Sequence, residues 1–332
     1  MDSVTPQLKW IQRRKNYILR LSLLLCLLFP SSFTTASTLL LLSGNAAYYQ
    51  ETAQSLQANA VNLGISNDQF DVLTVEEFNR QHKNQQAASK SYELIVAIGT
   101  VAATNAIQHK GKTPLLNIYI PKNAFDSIYS VEAQLSSQKI SAIYLDQPSK
   151  RLLTLACLLK PKAKEFGTIF GPISKNIQPE IEQLTTARDI NLNYDFLSKE
   201  DNPVTALKPV VTASELFIAI PDRAILNRAI ARWILHLGFQ HKIPVIGFSN
   251  AYTNAGAIAS VYSSPENIGK HAAELIASWR QNANSNIWSP QYPRYYTLST
   301  NPAVARSLGI PLPKEKELYT QFKHMEAMES DK

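Results

Sequence analysis

The sequence predicts an α/β protein of two doubly wound parallel-sheet lobes, on three observations. Short, near-continuous apolar runs rich in β-branched residues alternate with amphipathic segments of helical period, as strands covered on both faces do. At least nine such runs occur, too many for one comfortable sheet here. The series divides near residue 137, where the polar "AQLSSQK" (133–139) separates two βα groups, each of which builds its own sheet.

The first 36 residues stand apart. Arg13, Arg14, Lys15 and Arg20 lead into "YILRLSLLLCLLF" (17–29), Pro30 breaks the run, and small residues follow. A basic start, a short apolar core and a small-residue site read as a secretory signal peptide. Cleavage is expected near Ala36, with export to the periplasm. An uncleaved anchor is the alternative, but an apolar core of about a dozen residues is short against the ~20 needed to span a bilayer. Cys26 is a poor lipid-attachment site, because three leucines precede it and the apolar run continues past it.

Charge and cysteine content narrow the class. The formal net charge is +7, but the leader holds five of the 33 Lys and Arg and one of the 26 Asp and Glu, leaving +3. No Lys/Arg-rich tract remains, which argues against a nucleic-acid partner. Beyond the leader only Cys157 occurs, so no intrachain disulfide forms and the core supplies the stability.

The strands are expected at 38–44, 70–75, 93–100, 114–121, 140–147, 166–173, 192–197, 215–221 and 243–249. The stretch "VIGFSNAYTNAGAIASVYSS" (245–264) begins and ends apolar around a polar break. It is either a surface loop or one wall of a binding cleft. Two helices show their period well. Over 223–238, Ile225, Leu226, Ala229, Ile230, Trp233, Ile234 and Leu237 form one face; over 265–281, Ile268, Ala272, Leu275, Ile276 and Trp279 do. Both stripes, tryptophans included, read as core. Ser264 is the expected N-cap of the second helix, with Pro265 at its first position.

In open α/β sheets ligands sit beyond the carboxyl ends of the strands. Those ends carry Ser43-Gly44-Asn45, Gly99-Thr100, Asp146-Gln147, Gly171-Pro172, Pro221-Asp222 and Ser249-Asn250. The helices that follow aim N–H groups at the same place. Asp222 ends an apolar strand before a helix. It is either an N-cap or a charged partner for a ligand ammonium group, and its two oxygens allow both. Asp146 has the same ambiguity. Tyr48, Tyr252 and Tyr262 offer flat walls with a hydrogen-bonding tip or ordinary packing, with Tyr252 the one favoured for the cleft.

Several segments resemble a known family. "IPVIGFSNAYTNAGAIASVYSSPENIGKHAAELI" (243–276), "ELIVAIGTVAATNAI" (93–107), "AIYLDQPSKRLLTLACLLKPKAKEFGTIFGP" (142–172) and "STNPAVARSLGIPLP" (299–313) resemble the ABC transporter substrate-binding proteins that include bacterial aromatic amino-acid binders. The resemblance implies a type I periplasmic binding fold, with two lobes, a multi-crossover hinge and a ligand in the cleft. It also implies that the chain returns to each lobe. Lobe 1 is then 37–137 plus 255–284 and lobe 2 is 138–254 plus 292–312, followed by a C-terminal tail at 313–332. The polar 76–92 segment departs from the family pattern, so ligand identity is not carried over.

Three further signals are weaker. "AIQHKGKT" (106–113) fits a loose P-loop, but it ends a helix and enters a strand, the inverse of the required order. "GFSNA" (247–251) approaches a nucleophile elbow at Ser249, yet Glu266 and His271 share one helix five residues apart and face different ways. His82, His109, His236, His241, His271 and His324 form no HExxH or i,i+4 pair, so no metal site is expected.

The expectation is therefore a non-enzymatic, monomeric solute-binding protein of an ABC importer, without cofactor or metal. A small polar organic ligand would meet Asn45, Tyr48, Gly99 and Thr100 from lobe 1 and Asp146, Gln147, Asp222, Asn250 and Tyr252 from lobe 2. A permease in the inner membrane would be the partner. The alternatives are a sensing module that partners a membrane sensor kinase, and a serine hydrolase using Ser249.

Overall fold

The computed structural model describes residues 37–83, 91–109, 111–129, 139–282 and 289–330. The signal peptide expected at 1–36 lies outside them, as does most of the polar segment 133–139. Ser37–Lys332 is one compact unit.

Eleven strands are described: β1 Ser37–Leu42, β2 Phe70–Thr74, β3 Tyr92–Ile98, β4 Leu115–Ile120, β5 Ile140–Tyr144, β6 Glu165–Phe170, β7 Asn191–Phe196, β8 Leu216–Ile218, β9 Val245–Gly247, β10 Ala259–Tyr262 and β11 Thr297–Thr300. They form two sheets, β2-β1-β3-β4-β5 and β11-β10-β9-β8-β6-β7. All pairings are parallel except that of β10 with β11. Helices cover both faces of each sheet, which is why the central strands are apolar without alternation. In β1, Leu40 and Leu42 join one core and Leu39 and Leu41 the other.

The lobes meet at three chain crossings. The first, 145–148, runs from β5 to the helix Ser149–Leu159, whose Leu152, Leu155 and Ala156 pack in the second lobe. The second, 263–264, runs from β10 back to the helix Pro265–Gln281, whose Ile268, Ala272 and Ile276 pack in the first. The third follows Gln291, which bridges to Ile143 beside β5, and leads into β11. Two α/β lobes with parallel sheets and crossover connections are the type I periplasmic binding fold.

Some boundaries differ from the sequence-based expectation. β5 pairs with β4 in the first sheet, where a division near residue 137 puts it in the second. The polar segment there precedes a strand of the same sheet; the crossing comes after Tyr144. β10 lies in the second sheet, so the return to the first lobe begins at 263–264 rather than at 255. The expected tail holds a helix, Glu315–Ser330, with Leu318 and Phe322 fully buried in the second-lobe core. Burying each is worth about 1.5–3 kcal/mol.

Capping explains the helix starts. Ser264 accepts from the Asn267 N–H at 3.3 Å, the Asn267 side chain accepts from the Ser264 N–H at 3.2 Å, and Pro265 opens the helix. The helix expected over 223–238 is Arg228–Gln240, because Asn227 caps it by accepting from the Ala229 and Ile230 N–H groups. Ile225 and Leu226 precede it. Trp233, read as core, is 41% exposed. Among the described residues no helix is long and apolar enough to cross a membrane.

Candidate functional site

A cavity of about 650 Å³ lies between the two sheets, beyond the carboxyl ends of their strands. The first lobe supplies Tyr119, Pro121, Lys122, Asn123 and Asp126, which end β4 and open the helix Lys122–Tyr129. The second lobe supplies Ile173, Ser174, Asn176 and Ile177 after β6, Ile220, Pro221 and Arg223 after β8, and Phe248–Ala251 after β9. The crossings add Leu145–Gln147, Tyr262–Ser264 and Tyr292. Aromatic and aliphatic side chains dominate, with a few polar groups among them, the usual construction of a small-molecule site.

The first-lobe wall departs from regular strand geometry. β4 shifts register between Ile118 and Ile120, and Tyr119 takes φ 55°. A positive φ is costly for an aromatic residue, and such irregularities re-aim side chains at functional sites. Tyr119 stacks on Tyr48, centroids 5.5 Å apart and 14° from parallel. Burial, reinforced by Tyr48 and Tyr49 and then by Glu51 and Glu266, pushes the Tyr119 hydroxyl up to about 12. Tyr292 is also raised to about 12, first by burial.

Charged groups concentrate on the same side. Asp146 Oδ2 accepts from the Lys122 backbone N–H at 2.5 Å, and Lys122 Nζ pairs with Asp126 Oδ2 at 2.6 Å. Burial lifts the Asp146 carboxyl above its ordinary value, against the pull of that N–H. Across the cavity stand Arg223, Asn176, Ser249 and Asn250.

Of the residues expected to meet a ligand, Asp146, Gln147 and Asn250 line the cavity. Gln147 is largely committed to the crossings. Its Nε2 donates to Ser263 Oγ at 2.9 Å and its Oε1 accepts from Arg151 Nη1 at 2.7 Å. Ser263 Oγ donates in turn to the Tyr295 carbonyl at 2.6 Å. Residues of all three crossings thus share one hydrogen-bond chain. Arg151 extends it to the Pro293 carbonyl at 3.1 Å and to Glu326 of the C-terminal helix at 2.6 Å.

Asp222 does not line the cavity. It is 2% exposed, and its carboxylate accepts four hydrogen bonds from protein. Oδ2 takes the Ile173 N–H at 3.0 Å, the Ser174 N–H at 2.7 Å and the Ser174 hydroxyl at 2.9 Å, and Oδ1 takes the Ala224 N–H at 2.9 Å. It fastens two wall segments together, so the expected ammonium partner is corrected to a positioning residue. Tyr252 is corrected too. It is buried in the second-lobe core beside Phe248, ring centroids 5.1 Å apart, and burial raises its hydroxyl pKa. Tyr262 is the tyrosine of that stretch that lines the cavity.

Asn45, Tyr48, Gly99 and Thr100 stand at the ends of β1 and β3 and are not among the lining residues. Tyr48 reaches the wall through Tyr119. Gly99, at φ 91°, lets the backbone pass close to Tyr49 and Ser43, and Ser43 Oγ accepts the Ala102 N–H at 2.9 Å. Tyr119, Lys122, Asp126, Arg223 and Tyr292 were not legible as site residues. The first three follow the same strand-tip rule, at "YIPKNAFD" (119–126).

Among the described residues, no His or acidic group is hydrogen-bonded to Ser249. Its Oγ accepts the Tyr252 N–H at 3.2 Å as a helix cap, and no described histidine lines the cavity. His271 is fully buried in the helix Pro265–Gln281, its Nδ1 accepting from the Arg294 N–H at 3.3 Å. Among the described residues no group of three or more His, Cys, Asp or Glu is placed to hold a metal.

Solved structures share this architecture. A conserved domain protein from Vibrio cholerae O1 biovar El Tor is 17% identical with TM-score 0.57, covering 87% of this chain and 98% of that one. The ABC domain in complex with L-Trp from Streptococcus pneumonia is 15% identical with TM-score 0.54, covering 86% and 98%. A substrate binding protein with adhesive properties from Clostridium difficile, in its ligand-free, open structure, is 15% identical with TM-score 0.68, covering 84% and 96%. At these identities the likeness shows the fold. No curated protein matches the chain. The family model described as ABC transporter substrate binding protein matches residues 49–322. The chain belongs to the ABC transporter substrate binding protein family.

Proposed function

We propose that the protein is the extracytoplasmic receptor of an ABC importer and carries one small organic ligand between its lobes. The observation behind this is the inter-lobe cavity of about 650 Å³, within the range that encloses a small molecule. Its chemistry favours an apolar or aromatic body against Tyr119, Phe248, Tyr262 and Tyr292, with polar ends. Asp126 and Lys122 line it from the first lobe and Asp146 from the first crossing, while Arg223 and Asn250 line it from the second lobe. The proposed contacts keep Asp146 and Asn250, give Gln147 to the crossings, and add Tyr119 and Tyr292.

Binding involves no covalent step. A ligand that touches both walls favours the closed arrangement by its differential affinity for it, and a membrane permease reads the closed form. Mass spectrometry of small molecules released on denaturing the purified protein, followed by calorimetry with each, tests this. The expected result is one bound organic species whose affinity falls about tenfold or more in Asp146→Ala, as when a buried polar partner is lost. A protein that releases nothing and binds no member of a broad metabolite set contradicts the reading.

A further inference from the structure

The helix Arg228–Gln240 carries a surface that the cavity does not use. Ile230, Ile234 and Leu237 bury one side of it in the second-lobe core. Arg228, Arg232, His236 and Phe239 follow at helical spacing, which places them on one outward stripe, and all four are exposed. Phe239 is 64% exposed, the most of any large hydrophobic residue described, and Trp233 beside the stripe is 41% exposed.

Along the helix and the chain that follows it, the formal charge has one sign. No Asp or Glu occurs between Asp222 and Glu266. Lys242 follows the helix, and Lys208 is exposed on the packed neighbour Pro203–Thr212. Glu200 and Asp201 precede that neighbour, and Asp201 is occupied by the Ser198 N–H. Neither Arg228 nor Arg232 has an ion pair among the described residues. Arg228 opens its helix, the end where the macrodipole favours acids, so helix stability does not explain its charge.

We propose that this face docks on an anionic phospholipid surface. Trp233 and Phe239 enter the headgroup–acyl boundary, where aromatic rings anchor proteins. Arg228, Arg232 and Lys242 meet the phosphates, each adding attraction that decays within a Debye length. A second copy of the chain is a poor occupant, because a self-matched face brings like charges together. The inference is independent of what the cavity binds.

The test is co-sedimentation of the Ser37–Lys332 protein, which holds both sheets and all four cores. Vesicles of phosphatidylglycerol mixed with phosphatidylcholine are compared with phosphatidylcholine alone. Binding is expected to the anionic vesicles only and to weaken as salt rises. The pairs Arg228→Ser with Arg232→Ser, and Trp233→Ser with Phe239→Ser, are each expected to bind about tenfold more weakly or worse, with thermal unfolding unchanged. The blue shift of tryptophan emission on adding anionic vesicles should vanish in Trp233→Phe. Absence of binding, equal binding to both vesicles, or variants that bind like the parent overturns the proposal. So does self-association through this face without vesicle binding.

Discussion

Gln147 Nε2 donates to Ser263 Oγ at 2.9 Å, and the two residues sit on different crossings between the lobes. Because Ser263 also donates to the Tyr295 carbonyl at 2.6 Å, this pair connects the three strands of chain that any relative motion of the lobes must bend. Gln147→Ala and Ser263→Ala should therefore be coupled. A double-mutant cycle by urea unfolding is expected to return an interaction of about 1 kcal/mol. Additive effects would show that the contact carries no energy of its own.

Asp222 should behave as a structural residue of the wall. Asp222→Ala leaves the Ile173, Ser174 and Ala224 N–H groups without their acceptor. The expected loss is about 3 kcal/mol or more of unfolding free energy, measured by denaturant titration. Parent-like stability with a selective loss of ligand affinity would return Asp222 to the list of direct contacts.

Gly99→Ala should be costly from two causes at once. The residue sits at φ 91°, and an added Cβ would lie 2.5 Å from a Tyr49 ring carbon. A loss of about 1–3 kcal/mol is expected, seen as a lower thermal midpoint. An unchanged midpoint would mean that the Tyr49 ring and the β3 tip relax freely.

Histidine 271 gives the fold a pH dependence. Burial, helped by Arg294 and opposed by Glu274, lowers its pKa to about 4 from 6.5. The unfolded chain then binds a proton that the folded chain refuses. Stability from this group is present above pH 6.5 and is lost as pH falls toward 4, by about 3 kcal/mol in all. Urea unfolding across that window should show the slope, and His271→Phe should flatten it. Equal slopes in the two proteins would assign the pH dependence elsewhere.

The fold was legible where its physics leaves a continuous mark. Strands buried on both faces must be apolar throughout, so β1, β3 and β6 announce themselves. β11 does not, because "TLST" is a half-polar antiparallel strand beside β10. Trp233 reaches solvent although its stripe reads as core, because helical spacing identifies a side but not which flanking member is exposed. The site was partly legible for a related reason. Strand order says which tips lie near a cleft, but not which way a side chain turns within them. Asp222 and Tyr252 both occupy such tips, and both turn into the second lobe.

The central claim is that the two lobes clasp a solute. Small-angle scattering of the Ser37–Lys332 protein, stripped of bound molecules and then given a small-molecule extract of bacterial cells, tests it most directly. A smaller radius of gyration with the extract is expected, and Tyr119→Ala together with Asp146→Ala should abolish the change. A profile that stays the same with and without the extract would contradict the claim.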